Sequence, residues 1–91
     1  MFNTGKLYMT RAINNEIAES SKFSKEILKC LARYKSKDWG EMCNEDTLFN
    51  DEAVISGNGR IFAAYNTSKG KVYIITEWDR IVTNILFATE Y

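Results

Sequence analysis

Residues 76–80 hold the densest group of side chains that could do chemistry: two carboxylates, an arginine and a tryptophan within five positions. Glu77 and Asp79 alternate along an extended chain, so they would share one face close to a turn. One of them could act as a general base while Arg80 anchors an anionic substrate, which would make this a carboxylate-dependent enzyme. The other interpretation is a structural hairpin with a cross-strand ion pair. No second carboxylate pair or lysine at nuclease spacing accompanies the segment, and this favours the structural interpretation.

The same segment supports a second hypothesis, a site for a small anionic ligand such as a nucleotide signal. Arg11 follows Met9-Thr10 at a predicted junction between a strand and a helix. Arg11 and Arg80 would hold the anion, and a tryptophan could stack on a base. The residues of this hypothesis are Arg11, Glu77, Trp78, Asp79 and Arg80.

The residue types that are missing argue against most catalytic classes. The chain has no histidine, which removes the commonest general base and excludes Ser–His and Cys–His pairs. Cys30 and Cys43 are not in a C-x-x-C pair and cannot form a zinc site alone. They are either free thiols of a reducing cytosol or a disulfide. We therefore expect no catalytic residue, no metal and no cofactor.

Two neighbouring segments have opposite charge. Basic residues recur every three or four positions from 22 to 37, and acidic residues follow from 41 to 52 without an intervening lysine or arginine. Both could be solvated helix faces, but such a dipolar surface also suits a protein interface. The residues expected to face a partner are Lys25, Lys29, Arg33, Glu45, Asp46 and Asp51. Trp39 and Trp78 are the candidate aromatic anchors if they are exposed.

The elements that would position these residues follow from periodicity. Residues 14–35 have apolar side chains at helical spacing, with Ser20 or Ser21 as a joint between two helices. A further helix is expected over residues 45–56, with Asn44 as its N-cap and with Leu48, Phe49, Ala53 and Val54 as its apolar face. Strands are expected over residues 60–66, 71–78 and 81–87, and a short one near residues 7–9.

These elements predict an α+β fold: an antiparallel sheet of three or four strands with two or three helices packed on one face. Residues 1–91 would be a single domain, with a short strand and the helices in 1–59 and a β-meander in 60–91. The short connections in the second part require antiparallel neighbours.

Composition sets the expected setting of the protein. The chain has 91 residues, a net charge of zero and 45% hydrophobic residues, which suits one folded domain. Zero net charge does not favour direct binding to nucleic acid. No segment has the length of a signal peptide core or a membrane span, so we expect a cytoplasmic protein without membrane contact. An exposed β-edge and exposed aromatics would allow a homodimer.

Several short blocks together resemble a known family. They are MTRAIN at 9–14, DWG at 38–40, NDEA at 50–53, RI at 60–61 with AY at 64–65, IITEWDR at 74–80 and TNILF at 83–87, followed by EY at 90–91. This series resembles short proteins carried by plasmids, phages and conjugative elements of Gram-positive bacteria, often labelled only as plasmid-related and sometimes as a type I restriction subunit. The resemblance covers nearly the whole chain.

This resemblance implies a mobile-element setting rather than a reaction. Small accessory proteins of such elements that lack catalytic machinery are often inhibitors of host defence. The leading hypothesis is therefore a non-enzymatic protein that binds and occludes a host defence complex, such as a CRISPR effector or a restriction enzyme. The partner would be a protein that processes nucleic acid.

Overall fold

The computed structural model describes residues 2–91, which form three α-helices, four β-strands and one 3₁₀ turn. In chain order these are β1 (Lys6–Met9), α1 (Arg11–Glu19), α2 (Ser21–Lys35), α3 (Asn44–Ser56), β2 (Ile61–Thr67), β3 (Gly70–Thr76), β4 (Val82–Phe87) and the 3₁₀ turn Ala88–Glu90. The expected α+β class is confirmed, and each predicted helix or strand of residues 14–87 is present with bounds that shift by a few residues.

The strands form one sheet in the order β1-β4-β3-β2. β2 pairs with β3 and β3 pairs with β4 in antiparallel fashion, as their short connections require. β1 instead pairs with β4 in parallel, so the expectation of an entirely antiparallel sheet was wrong for this strand. A parallel neighbour needs a long crossover, and the helices and the β2–β3 hairpin between β1 and β4 provide it.

α1 and α2 cover one face of the sheet, and two polar caps fix where they begin. The side chain of Thr10 accepts a hydrogen bond from the backbone N–H of Ile13, and Ser20 does the same for Phe23. Ser20 is thus the joint between the two helices. Their apolar sides meet the inward side chains of the strands in one core, whose fully buried members include Ile13, Phe23, Ile27, Tyr34, Tyr65, Ile74 and Ile85.

A chain of hydroxyl groups crosses this core. The Tyr34 hydroxyl lies 2.6 Å from Oγ1 of Thr76, which lies 2.7 Å from Oγ1 of Thr83. Thr83 donates in turn to the carbonyl of Thr4. Each buried hydroxyl therefore has a partner, which offsets its desolvation. Burial raises the pKa of Tyr34 to about 12, so this phenol remains neutral in the folded protein.

The free edge of β2 is covered by polar contacts rather than by another strand. Gly40 forms a single parallel bridge to Ala64. In α3, the side-chain amide of Asn50 donates to the carbonyl of Phe62 over 2.8 Å and accepts from its N–H over 3.1 Å. α3 therefore lies along the edge of the sheet and not on the face that α1 and α2 cover, because Asn50 serves as a substitute strand partner for β2.

Candidate functional site

The outward side of α3 combines exposed apolar side chains with carboxylates. Leu48 is 63% exposed, Phe49 is 59% exposed and Ile55 is 87% exposed. We call the α3 surface the set formed by Leu48, Phe49, Ile55, Glu45, Asp46 and Glu52. Exposed apolar groups of this size on a small domain indicate a binding surface when they are grouped and surrounded by polar residues.

Helix geometry explains why these residues lie together. Leu48, Glu52 and Ile55 are spaced by four and three positions, so they form one stripe along the solvent side. Asn50 and Ala53 occupy the opposite side and are buried against β2. Glu45 lies with Asp46 in the first turn, where the positive end of the helix dipole stabilises negative charge. The solvent side of α3 therefore combines carboxylates with exposed apolar side chains.

This arrangement corrects one expectation about α3. Leu48 and Phe49 were expected to form its core-facing side with Ala53 and Val54, but both are exposed, and the polar residue Asn50 is buried instead. The helix also begins at Asn44 with Cys43 as its N-cap, and no side chain caps it. The sequence signal was present, because Leu48 and Ile55 lie on a different side of a helix from Ala53.

The turn between β3 and β4 is fastened to the C-terminal end of α3 by Arg80. Its guanidinium donates to the carbonyl of Ala53 over 2.7 Å and to that of Gly59 over 2.6 Å. The same turn holds Trp78, which is 63% exposed, and Ile81, which is 62% exposed. The C-terminal end of the α3 surface therefore has an exposed tryptophan on the adjoining turn.

Trp39 lies in the core rather than on a surface. It is only 3% exposed, and its ring contacts those of Phe2 and Tyr34. Its indole N–H donates to Oδ1 of Asp51 over 3.0 Å. Trp39 is therefore too buried to be an aromatic anchor, and Asp51 accepts a hydrogen bond within the fold. Trp78 is the tryptophan that remains at the surface.

The predicted basic residues are separate from the α3 surface. Lys25 and Lys29 are exposed on the side of α2 that faces away from the sheet. Arg33 donates to Asp38 over 2.7 Å and lies with its guanidinium carbon 5.0 Å from the centre of the Tyr65 ring. The hydrogen bond from Arg33 holds the pKa of the Asp38 carboxyl below its ordinary value. Among residues 2–91, no ion pair joins α2 to α3.

The residues of the nucleotide hypothesis are not brought together. Arg11 follows the end of β1 that pairs with Ile85, whereas Arg80 precedes the other end of β4, at Val82. Arg80 donates from both terminal nitrogens of its guanidinium to backbone carbonyls, so these donors hold the turn in place. Trp78 is exposed on the turn beside Arg80.

The two carboxylates of this turn have structural partners. Glu77 lies 3.6 Å from Arg60, so the ion pair of this region involves Arg60 and not Arg80. Asp79 accepts a hydrogen bond from the backbone N–H of Ile81 over 3.0 Å, which closes the turn. Their arrangement is that of a structural turn.

Residues 2–91 line at least two surface cavities. One of about 490 Å³ lies between α1, the β2–β3 hairpin and the 3₁₀ turn. The other, of about 370 Å³, lies between α3 and β2 and is lined by Met42, Asp46, Phe49, Asn50, Arg60 and Phe62. The second cavity adjoins the α3 surface, since Asp46 and Phe49 belong to both, and it extends toward the face of the sheet that carries no helix.

Residues 2–91 contain no group of three acidic or cysteine side chains that could hold a metal ion. Cys30 is buried and Cys43 is exposed, and both are free thiols. None of the helices in residues 2–91 has both the length and the apolar composition that crossing a bilayer requires.

Comparison of the chain with models of protein families, with curated proteins and with solved structures found no match. The geometry of the site is therefore the basis for a function.

Proposed function

We propose that this protein is a non-enzymatic binding protein that occludes a nucleic-acid-processing defence complex of a bacterial host. The α3 surface and Trp78 are its contact residues. The observation that carries the proposal is the exposure of Leu48, Phe49 and Ile55 on a helix that has four acidic residues and no basic ones. A solvated helix face does not require three large apolar side chains in water.

The charge of the α3 surface defines the chemistry of the partner. Glu45, Asp46 and Glu52 are exposed, and residues 41–59 contain no lysine or arginine. A basic surface with apolar contacts is the complement of such a helix. Proteins that bind DNA or RNA have such surfaces, because they neutralise phosphates with lysine and arginine.

Two further features support this proposal. The resemblance to short proteins of plasmids, phages and conjugative elements provides a setting in which blocking host defence is useful. The carboxylates of the β3–β4 turn and the terminal nitrogens of Arg80 make contacts within the fold. We accordingly propose that the protein acts in the host cytoplasm. It would act by binding its partner and not by catalysing a reaction.

The test is a defence assay in cells. The chain is expressed in a set of Gram-positive strains, each with one active CRISPR or restriction system, and the establishment of a targeted plasmid is counted. We expect the wild-type chain to raise plasmid establishment in a strain whose nuclease it blocks. A chain that fails in every strain, although it is folded and abundant in each, contradicts the proposal.

Two matched triple variants locate the contact surface. The first is Glu45→Lys with Asp46→Lys and Glu52→Lys, on α3. The second is Lys22→Glu with Lys25→Glu and Lys29→Glu, on the exposed side of α2. Both reverse three surface charges, so they change net charge by equal amounts in opposite directions. We expect only the α3 variant to lose protection, and loss with the α2 variant alone would assign the contact to the basic helix.

A further inference from the structure

The two edges of the sheet differ in whether their backbone groups have hydrogen-bond partners. At the β2 edge, Ala64 donates to the carbonyl of Trp39 and accepts from the N–H of Glu41, while Asn50 pairs with the backbone of Phe62. At the opposite edge β1 has only β4 as a neighbour within residues 2–91. Unpaired backbone groups at an exposed sheet edge are a template for another strand.

The hydrogen bonds of β1 show which groups are open. Lys6 donates to the carbonyl of Ile81 over 2.9 Å, and Thr10 donates to that of Ile85 over 3.1 Å. Backbone groups alternate in direction along a strand, so the N–H and C=O of Leu7, between Lys6 and Thr10, point away from β4. Elsewhere in residues 2–91 no group pairs with them. The side chain of Leu7 is 42% exposed, although it lies on the core side of the sheet.

We infer that a second copy of this chain binds at β1, through antiparallel pairing centred on Leu7. Leu7 of each copy would donate its N–H to the C=O of the other Leu7, so that one continuous sheet runs through both copies. The pairing is isologous, because the same residues contribute from both sides. It is independent of the α3 surface, which lies at the opposite edge of the sheet.

In this register the side chains of β1 are compatible with those of β1 in the second copy. Leu7 faces Leu7, which brings two half-exposed apolar side chains together. Lys6 faces Tyr8 rather than another Lys6, so the aliphatic stem of the lysine lies along a ring and like charges are not opposed. The net charge of the chain is zero, so two copies do not repel each other as wholes.

A cysteine placed at the centre of the pair tests this register. Residues opposite each other in a hydrogen-bonded antiparallel pair have Cα atoms about 5.5 Å apart, within the range of a disulfide. Leu7→Cys, made together with Cys43→Ser to remove the exposed thiol, should cross-link into a dimer under mild oxidation. Lys6→Cys on the same background is the matched control, because in this register its Cα atoms lie about 8 Å apart, too far to bridge.

Sedimentation of the unmodified chain measures the association itself. A four-residue strand gives a small interface, which implies weak association. The concentration of the chain should therefore be varied from about 10 μM to about 1 mM, the range in which weak dimers dissociate. We expect the mass to rise toward two copies, and Leu7→Lys to remain monomeric with an unchanged circular dichroism spectrum, because two lysines would then be opposed. A wild-type chain that is monomeric throughout, or equal cross-linking of Leu7→Cys and Lys6→Cys, overturns the inference.

Discussion

The indole nitrogen of Trp39 donates a hydrogen bond to Oδ1 of Asp51 over 3.0 Å, which joins the loop before α3 to the helix itself. This contact removes a tryptophan from the surface and gives an acidic residue of the 41–52 run a structural role. It also separates Asp51 from Glu45, Asp46 and Glu52, which remain exposed. The acidic run is therefore divided between structure and surface.

We expect Asp51→Ala to lower the free energy of unfolding by about 1–3 kcal/mol, because it leaves the buried indole N–H without an acceptor. Asp51→Asn retains an oxygen at the same place and should cost less. Urea denaturation followed by tryptophan fluorescence measures both. The control is Glu52→Ala, one residue further along α3, which should change stability by less than about 0.5 kcal/mol. Equal effects of Asp51→Ala and Glu52→Ala would show that the hydrogen bond is not formed.

Asn50 makes a second testable contact, because it replaces a strand at the edge of β2. Asn50→Ala removes a donor and an acceptor from the backbone of Phe62, and we expect a loss of about 2–3 kcal/mol. Hydrogen exchange should accelerate at the amide of Phe62 in particular, since that N–H loses its partner. Asn58→Ala, in the exposed loop after α3, is the control. Unchanged protection of the Phe62 amide in Asn50→Ala would contradict this role.

The chain should lose stability in alkaline solution because of Tyr34. Its pKa is raised to about 12 by burial, above the ordinary value of 10.0, so the folded state holds this proton more tightly than the unfolded state. The contribution of neutral Tyr34 to the free energy of unfolding is complete below pH 10. It is lost as the pH rises toward 12, by at most about 1.4 kcal/mol per pH unit. Burial raises the pKa of Tyr65 in the same direction.

Chemical denaturation at several pH values between 8 and 11 measures this dependence. Tyr34→Phe should be less stable than wild type at pH 8 by about 1 kcal/mol, because Thr76 loses a hydrogen-bond partner. Its stability should fall less steeply above pH 10 than that of wild type. An identical slope for the two proteins would mean that Tyr34 is not buried in its neutral form.

The exposed apolar residues of α3 should matter little for folding. Leu48→Ser and Ile55→Ser remove side chains that are mostly in water, so each should change the free energy of unfolding by less than about 0.5 kcal/mol. Ile74→Ala, in the core, should cost about 2–5 kcal/mol under the same conditions. A large loss with Leu48→Ser or Ile55→Ser would show that these side chains belong to the core and not to a contact surface.

Much of the fold could be predicted from the sequence because local patterns determine it. The apolar spacing of α2, the serine at its start and the β-formers of β3 each point to one local structure. The parallel pairing of β1 could not be found in this way. A strand of four residues has no periodicity that distinguishes its neighbours, and its partner β4 lies more than 70 positions away in the chain.

The site residues were harder to predict because their roles depend on tertiary contacts. Trp39 and Trp78 look alike in the sequence, but one packs on Tyr34 and the other extends from a turn. Arg80 could not be separated from a ligand-binding arginine until its carbonyl acceptors were known. The exposure of Leu48 was hidden because Asn50, a polar residue, takes the buried position that pairs with β2.

We propose above that the α3 surface binds a basic surface of a nucleic-acid-processing protein. The most direct measurement uses the purified nuclease of a strain that the chain protects, and follows the fluorescence anisotropy of its labelled DNA target as the chain is added. We predict that wild type and the Lys22→Glu, Lys25→Glu, Lys29→Glu variant lower DNA binding, while the Glu45→Lys, Asp46→Lys, Glu52→Lys variant does not. Equal inhibition by all three proteins would contradict the assignment of the contact to the α3 surface.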